Sequence, residues 1–338
     1  MKLPTHNQAV WFSGPRRVEL RPADAPPPAA GQVRVITQYS AISHGSEMLV
    51  YRGQVDPAMP LDLPTLTGGY GFPISFGYAC VGRVYDCGPD VSERAPGDLV
   101  FCLHPHQHAF TIGAGLTIPL PPGVDPLHAV LAANLETALN IVHDGHPRLG
   151  EAAVVFGQGV VGLLVGMLLR RAGITRLAVV DPLVQRRGLA RKLGADLALE
   201  PGPDLATLLR DGDGRAPDLA VEVSGAPAAL QAAIECVALE GTVVAASWYG
   251  SKPVSLDLGG HFHRGRVRLR SSQVGRLTPE TSARWNHARR WRSVGAWLQA
   301  LPVNRIISHR LPSDRAAEAY RLIDNDPGDA VQVVLEWA

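Results

Sequence analysis

Apolar and polar residues alternate at period two in Gln32-Val-Arg-Val-Ile-Thr-Gln38, as they do in a half-buried strand. Further short apolar runs, 79–85 and 99–103, are set apart by the turn formers Cys87-Gly-Pro-Asp and Ala95-Pro-Gly-Asp. Pro22 to Pro28 is a proline-rich connector. Short strands at this spacing predict a small barrel or sandwich. The texture changes near Pro119-Leu-Pro-Pro-Gly, and from Pro126 to His143 apolar residues recur at helical spacing. Strands predicted at 152–156, 177–180, 219–223 and 242–246 then alternate with helices at 160–172, 184–192, 205–209 and 227–238. That order means βαβ units and a parallel sheet with helices on both faces. Beyond about residue 270 the pattern is irregular, with a helix near 284–300 and a last strand at 332–337. A β-rich start, a βαβ middle and a mixed tail suggest that the tail folds back onto the first domain.

The sharpest local signal lies where the first βαβ strand meets its helix. Gly157, Gly159 and Gly162 form G-x-G-x-x-G within Ala152-Ala-Val-Val-Phe-Gly-Gln-Gly-Val-Val-Gly. The first glycine permits a tight turn, the second lets backbone approach a pyrophosphate, and the third lets helix pack on strand. The helix N-terminus adds partial positive charge. The next strand ends in Asp181, 19 residues after Gly162. A carboxylate there can accept from both ribose hydroxyls of NAD and would repel the 2′-phosphate of NADP. Arg186 and Arg187 follow closely and either could neutralise such a phosphate, so NAD is expected and NADP stays open.

Composition narrows the class. The 338 residues suggest about two domains. With 46% apolar and 19% charged residues the chain reads as soluble and globular, not disordered. The net charge of +1 makes nucleic acid and anionic membrane poor partners. No two of Cys80, Cys87, Cys102 and Cys236 make a Cys-x2-Cys pair, so no zinc knuckle is expected. The N-terminal residues have no apolar core and do not read as a signal peptide, which leaves the cytoplasm as the expected location. The apolar run 152–169 holds four glycines and is split by its own turn, so it is not read as a membrane span.

Joined to its flanks, the nucleotide unit resembles the medium-chain dehydrogenase/reductase superfamily of the zinc alcohol dehydrogenase type. The segments that carry the resemblance are Gly31-Gln-Val-Arg-Val, Ser40-Ala-Ile-Ser-His-Gly-Ser-Glu47, Gly77-Tyr-Ala-Cys-Val-Gly-Arg-Val84 and Pro96-Gly-Asp-Leu-Val-Phe, together with the glycine stretch, Ala190-Arg-Lys-Leu-Gly-Ala-Asp and the Val223-Ser-Gly-Ala turn. In order they cover nearly the whole chain. The resemblance implies an α/β fold with a GroES-like β-barrel catalytic domain (1–122), a doubly wound Rossmann domain (123–272) and a C-terminal segment (273–338) returning to the barrel. It also implies a small-molecule substrate and a homodimer. The Gly-Tyr and Ile-Ser-x-Gly-Ser-Glu spellings are most similar to the branch that includes bacteriochlorophyllide dehydrogenase, whereas Ala246-Ser-Trp-Tyr-Gly and Ser271-Ser-Gln-Val are not.

The departures from the family are chemical. Ser43 stands where zinc members have their first cysteine ligand, Tyr78-Ala79 where they have His-Glu, and the third ligand aligns near Ala133. Hydroxyl and methyl groups cannot replace thiolate and imidazole on zinc, so no zinc is expected. Hydride transfer still needs a group to polarise the carbonyl oxygen and supply a proton, and Tyr78 and Ser43 are the candidates. By the resemblance, His44 touches the cofactor pyrophosphate, and Thr137 and Val161 pack on the nicotinamide. Ser224 and the Ser247-Trp-Tyr249 turn end parallel strands at the rim where ligands bind. Glu47 either accepts a proton or caps a helix beginning near Met48; the cap is preferred.

Two further patterns carry weaker signals. His104, His106 and His108 would share one face of a strand; Pro105 interrupts the run, and they are read as lining the cleft or covering the barrel mouth rather than holding metal. Arg264, Arg266, Arg268 and Arg270 would likewise share a face, in a tail with 13 Arg against 7 acids. That run either meets an anionic substrate or is paired with acids. The expected activity is zinc-independent, NAD(P)-dependent interconversion of a secondary alcohol and a ketone. The alternatives are reduction of an activated C=C bond and a dinucleotide-binding pseudoenzyme.

Overall fold

Valine- and isoleucine-rich segments bounded by glycine and proline turns form the N-terminal strands, as β-branched side chains on a pleated surface favour. The computed structural model describes residues 2–337 apart from Asp62, Pro64 and Thr67. The strands are β1 (Gln8–Gly14), β2 (Arg17–Pro22), β3 (Gln32–Ile42), β4 (Cys80–Cys87), β5 (Leu99–Cys102), β6 (Ala109–Gly113) and β7 (Thr117–Pro119). β3 is the hub, pairing antiparallel with both β4 and β6, while β5 links β4 to β7. A short helix, α1 (Ser46–Tyr51), follows β3 after a three-residue turn.

The second layer system begins after α2 (Pro126–Ala129) and α3 (Ala132–Gly145). Asp125 caps α2 by accepting from Leu127 N–H, with Pro126 at the first helical position. The single helix expected over 126–143 is interrupted at Val130 and Leu131, both fully buried. Strands β8 (Ala152–Phe156), β9 (Arg176–Val180), β10 (Leu197–Leu199), β11 (Leu219–Glu222), β12 (Thr242–Ala245) and β13 (Arg268–Ser271) alternate with α4 (Val160–Arg171), α5 (Val184–Lys192), α6 (Leu205–Leu208) and α7 (Pro227–Cys236). All pair in parallel in the order β10-β9-β8-β11-β12-β13, the strand order of the Rossmann fold. The order reverses between β8 and β11, so their carboxyl ends flank the switch point where such sheets bind ligands.

The tail adds α8 (His287–Ala300), β14 (Ile307–Pro312), α9 (Ala316–Asn325) and β15 (Gln332–Glu336). β15 pairs antiparallel with β3 and carries β14 beside it in parallel. One compact unit therefore comprises Met1–Ala133 with Gly295–Ala338, and the other Asn134–Val294. These limits fall inside α3 and α8.

Each unit has its own core. In the first, Phe12, Tyr51 and Tyr320 form an aromatic cluster, with Tyr51 and Tyr320 stacked at 5.3 Å and Phe12 edge-on to both. In the second, Val154, Phe156, Val180 and Ala220 pack against Leu230, Ala233 and Ile234 of α7. No helix of the described residues is long and apolar enough to cross a membrane; the 152–169 run divides into β8 and α4.

Candidate active site

The turn 43–45 between β3 and α1 brings three hydroxyls together. Tyr78, just before β4, donates its phenol proton to Ser43 Oγ and lies 3.2 Å from Ser46 Oγ. Burial pushes the Tyr78 phenol above its ordinary value, while the hydrogen bonds to Ser43 and Ser46 draw it part of the way back. The phenol is thus protonated at neutral pH and flanked by two hydroxyls that can each donate or accept. The two residues singled out for proton transfer, Tyr78 and Ser43, are in direct contact. His44 is half-buried in the same turn.

Beneath this pair lies a carboxylate whose role the sequence reading missed. Glu47 is fully buried; its Oε2 accepts from Ser43 N–H at 2.9 Å and its Oε1 faces His106 Nε2 at 2.8 Å. Tyr320 on α9 also donates to Oε1. The preferred reading of Glu47 as a helix cap is therefore corrected: the N-cap of α1 is Gly45, with no side-chain cap, and Glu47 points inward as an acceptor for three donors.

The histidine triplet lies between β5 and β6 and not on a strand, so the shared face that a strand would give does not form. His104 stacks on Phe110 at 3.7 Å, His106 is wholly buried against Glu47, and His108 tilts against Trp337. The only part of the arginine run on a strand is Arg268 to Arg270, in β13. Arg266, in the left-handed region at φ 51°, and Arg268 both pair with Glu240, and Arg270 pairs with Glu280 at 2.8 Å. That bond to Arg270 holds the Glu280 carboxyl down at about 2. The acid-paired reading of these arginines is the one observed for Arg266, Arg268 and Arg270.

The family's zinc positions offer no ligand set. Ser43 and Tyr78 are bonded to each other, and Ala79 and Ala133 are buried methyl groups. Among the described residues no group of three or more His, Cys, Asp or Glu could hold a metal ion. These donors do not fit zinc.

In the second unit the glycine turn is built as a cradle. Gly157 has φ 94°, and a Cβ there would lie 2.7 Å from Ser224 Cα; a Cβ on Gly162 would lie 1.9 Å from Gly157 O. Only hydrogen fits at either place. A Cβ on Gly159 would meet nothing nearer than Arg186 Nη1 at 3.5 Å, and α4 begins there without a side-chain cap. Its first amides are thus available to an anion. Val161 is half-buried in the first turn of α4, and Thr137 is half-buried on α3. These residues fit a dinucleotide pyrophosphate.

Asp181 directly follows β9 and is buried, with Oδ2 accepting from Gln158 N–H at 2.7 Å and Oδ1 from Leu183 N–H at 2.8 Å. It ties the glycine turn to β9, and each oxygen keeps a second lone pair for a ribose hydroxyl. The two arginines separate clearly. Arg187 donates to the carbonyls of Asp181 and Pro182, whereas Arg186 lies over the glycine turn, where burial lowers its pKa and Asp181 counters.

Two more buried polar groups went unforeseen. Glu222, the last residue of β11, accepts from the Ser224 N–H and Oγ–H at 2.6 Å each and from Tyr249 Oη–H at 2.6 Å. Ser224 is therefore fastened at the rim beside Gly157. Arg290 on α8 is fully buried and donates to Glu136 at 2.8 Å, Asn140 at 2.9 Å and Val274 O at 2.7 Å, fixing the α3 face next to Thr137. The only sequence signal for either was a charged residue inside an apolar pattern.

The parallel sheet, its glycine cradle and the strand-borne carboxylate define a dinucleotide-binding protein of the doubly wound class. Comparisons with known proteins carry this further. A family model described as zinc-binding dehydrogenase matches residues 160–291. The chain is 29% identical over 355 residues to 2-desacetyl-2-hydroxyethyl bacteriochlorophyllide A dehydrogenase of Rhodobacter capsulatus, covering 98% of both chains. It is 28% identical to D-guloside 3-dehydrogenase of Escherichia coli K12, over 77% of this chain and 79% of that one. A solved alcohol dehydrogenase from Escherichia coli CFT073, complexed with NADH, superposes with a TM-score of 0.82 at 19% identity, covering 98% of this chain and 100% of that chain. The chain is thus similar, in sequence along nearly its whole length and in fold, to the medium-chain dehydrogenase/reductase superfamily of the zinc alcohol dehydrogenase type, and its named relatives support a nicotinamide-dependent oxidoreductase.

Proposed function

We propose that this protein transfers hydride between a nicotinamide cofactor and the carbon of a secondary alcohol or ketone without zinc, with Tyr78 as the proton donor. The observation that carries this reading is the Tyr78–Ser43 hydroxyl pair, set where zinc members of the superfamily are expected to have ligands. The names of the two relatives, a D-guloside 3-dehydrogenase and a hydroxyethyl bacteriochlorophyllide dehydrogenase, support an alcohol as the group oxidised.

A bound dinucleotide supplies the hydride donor or acceptor. Gly157, Gly159 and Gly162 with the α4 N-terminus hold its pyrophosphate, and Asp181 takes a ribose diol. In the resting protein the Tyr78 proton is spent on Ser43. When a carbonyl oxygen arrives, the Ser43 and Ser46 hydroxyls rotate to donate to the phenol oxygen, and the Tyr78 proton turns to the substrate. In the oxidative direction the same chain takes the proton up. His44 as a pyrophosphate contact and Thr137 and Val161 as nicotinamide contacts belong to this proposal.

NAD is favoured because a carboxylate directly follows β9; Arg186, which lies over the glycine turn, is placed to override it. Titration with NADH and NADPH, followed by energy transfer from tryptophan, tests this. NADH is expected to bind at least tenfold tighter, about 1.4 kcal/mol. A preference for NADPH that Arg186→Ala abolishes would overturn Asp181 as the selector. Binding of neither would overturn the enzyme reading itself.

A further inference from the structure

Glu47, His106 and Tyr320 come from three distant parts of the chain: α1, the loop after β5, and α9. A buried carboxylate is costly unless its oxygens are fully hydrogen-bonded, and an apolar residue of similar volume is often as stable. Stability alone therefore gives little reason for this arrangement. We propose that Glu47, locked from the buried side by His106 and Tyr320, is a positioning residue for the Ser43–Tyr78 hydroxyl pair. The proposal rests on the reading of Tyr78 as proton donor.

Three contacts carry it. Glu47 Oε2 accepts the backbone N–H of Ser43, the residue whose hydroxyl receives the Tyr78 proton. On the other side, His106 seats against Gly77, the neighbour of Tyr78: a Cβ on Gly77 would lie 2.5 Å from His106 Cδ2 and 2.6 Å from Nε2. One buried network thus touches Ser43 and the residue next to Tyr78. The third contact is Tyr320, which donates to the same Oε1 that faces His106 and is itself stacked on Tyr51.

The donor inventory makes Glu47 hard to replace. Oε2 takes the Ser43 N–H, while Oε1 takes the Tyr320 hydroxyl and faces His106 Nε2; His106 Nδ1 is buried with no hydrogen-bond partner. In Glu47→Gln the amide NH2 must face either the Ser43 N–H, which it cannot bond, or Tyr320 Oη and His106 Nε2, which must then both act as acceptors. Either placement forces the buried network to rearrange. Misplacing a reacting group by about 1 Å can cost about a hundredfold in rate.

The test uses the full-length chain and the variants Glu47→Gln, Tyr320→Phe and Tyr78→Phe, with amide hydrogen exchange at Ser43, NADH affinity and kcat as readouts. The substrate is the fastest of a panel containing 2-butanol, 2,3-butanediol and a methyl glycoside. Glu47→Gln is expected to speed exchange at Ser43 at least tenfold and to lower kcat at least tenfold, with NADH affinity within twofold. Added to Tyr78→Phe it should lower kcat no further. Tyr320→Phe keeps the aromatic packing and should show the same changes in smaller degree, which preserves the test if Glu47→Gln does not fold. Unchanged exchange and kcat within twofold would overturn the proposal, and so would a Glu47→Gln loss that multiplies with that of Tyr78→Phe. A parent that turns over no member of the panel, or a Tyr78→Phe variant that keeps full rate, would instead overturn the proton-donor reading. The exchange rate at Ser43 still decides whether Glu47 holds that residue.

Discussion

His104 lies flat on Phe110, and burial lowers its pKa from 6.5 to about 4. The folded chain therefore holds the imidazole neutral across a range in which the unfolded chain protonates it. Stability from this group is complete above about pH 6.5 and is lost as pH falls through about 4, an effect on the order of 3 kcal/mol. Urea unfolding at pH 7 and pH 4.5, repeated on His104→Phe, checks it. The variant should lose less stability on acidification than the parent; equal losses would remove His104 from the account. At this scale the sequence showed which residues were unusual and not what they touched. Glu47 was marked by its place beside Ser43, but its partners His106 and Tyr320 are 59 and 273 residues away. Only the fold brings them together.

Among the elements, the β8–turn–α4 unit was the most readable, because its glycines are demanded by contacts a few ångströms away. A Cβ on Gly162 would meet the Gly157 carbonyl oxygen at 1.9 Å, a backbone atom that cannot swing aside. Gly162→Ala is accordingly expected to cost about 1–3 kcal/mol in stability, as overpacking does, and to weaken NADH binding at least tenfold by displacing the turn. Thermal unfolding and NADH titration of the variant check both, and an unaltered affinity would contradict the cradle. Helical spacing and short apolar runs between turn residues located most helices and strands; β8, β9 and β11 are buried almost throughout, so their runs are continuous and not alternating. His-Pro-His-Gln-His alternates like a strand, but the proline that interrupts it marks the loop observed between β5 and β6. Arg264 to Arg270 alternate too, yet the strand starts only at Arg268.

For the molecule as a whole, a resemblance spread over nearly the full length identified the architecture, and β15 pairing with β3 shows how the tail completes the first unit. Its chemistry was legible only as a substitution: hydroxyl and methyl groups at positions where zinc-type relatives are expected to bind metal. On the proposed function, the Tyr78–Ser43 pair stands in for the metal, since a protonated phenol flanked by hydroxyls can do part of what a Lewis acid does at a carbonyl oxygen. The most direct measurement is deuteride transfer from 4-deuterated NADH to a ketone by chelator-treated protein, alongside Tyr78→Phe. The account predicts deuterium on the carbinol carbon at undiminished rate after chelation, and a loss of about 10²–10⁴-fold in the variant. Activity that disappears with chelation and returns with zinc would contradict it, as would deuterium on a carbon β to the carbonyl or a Tyr78→Phe variant within twofold of the parent.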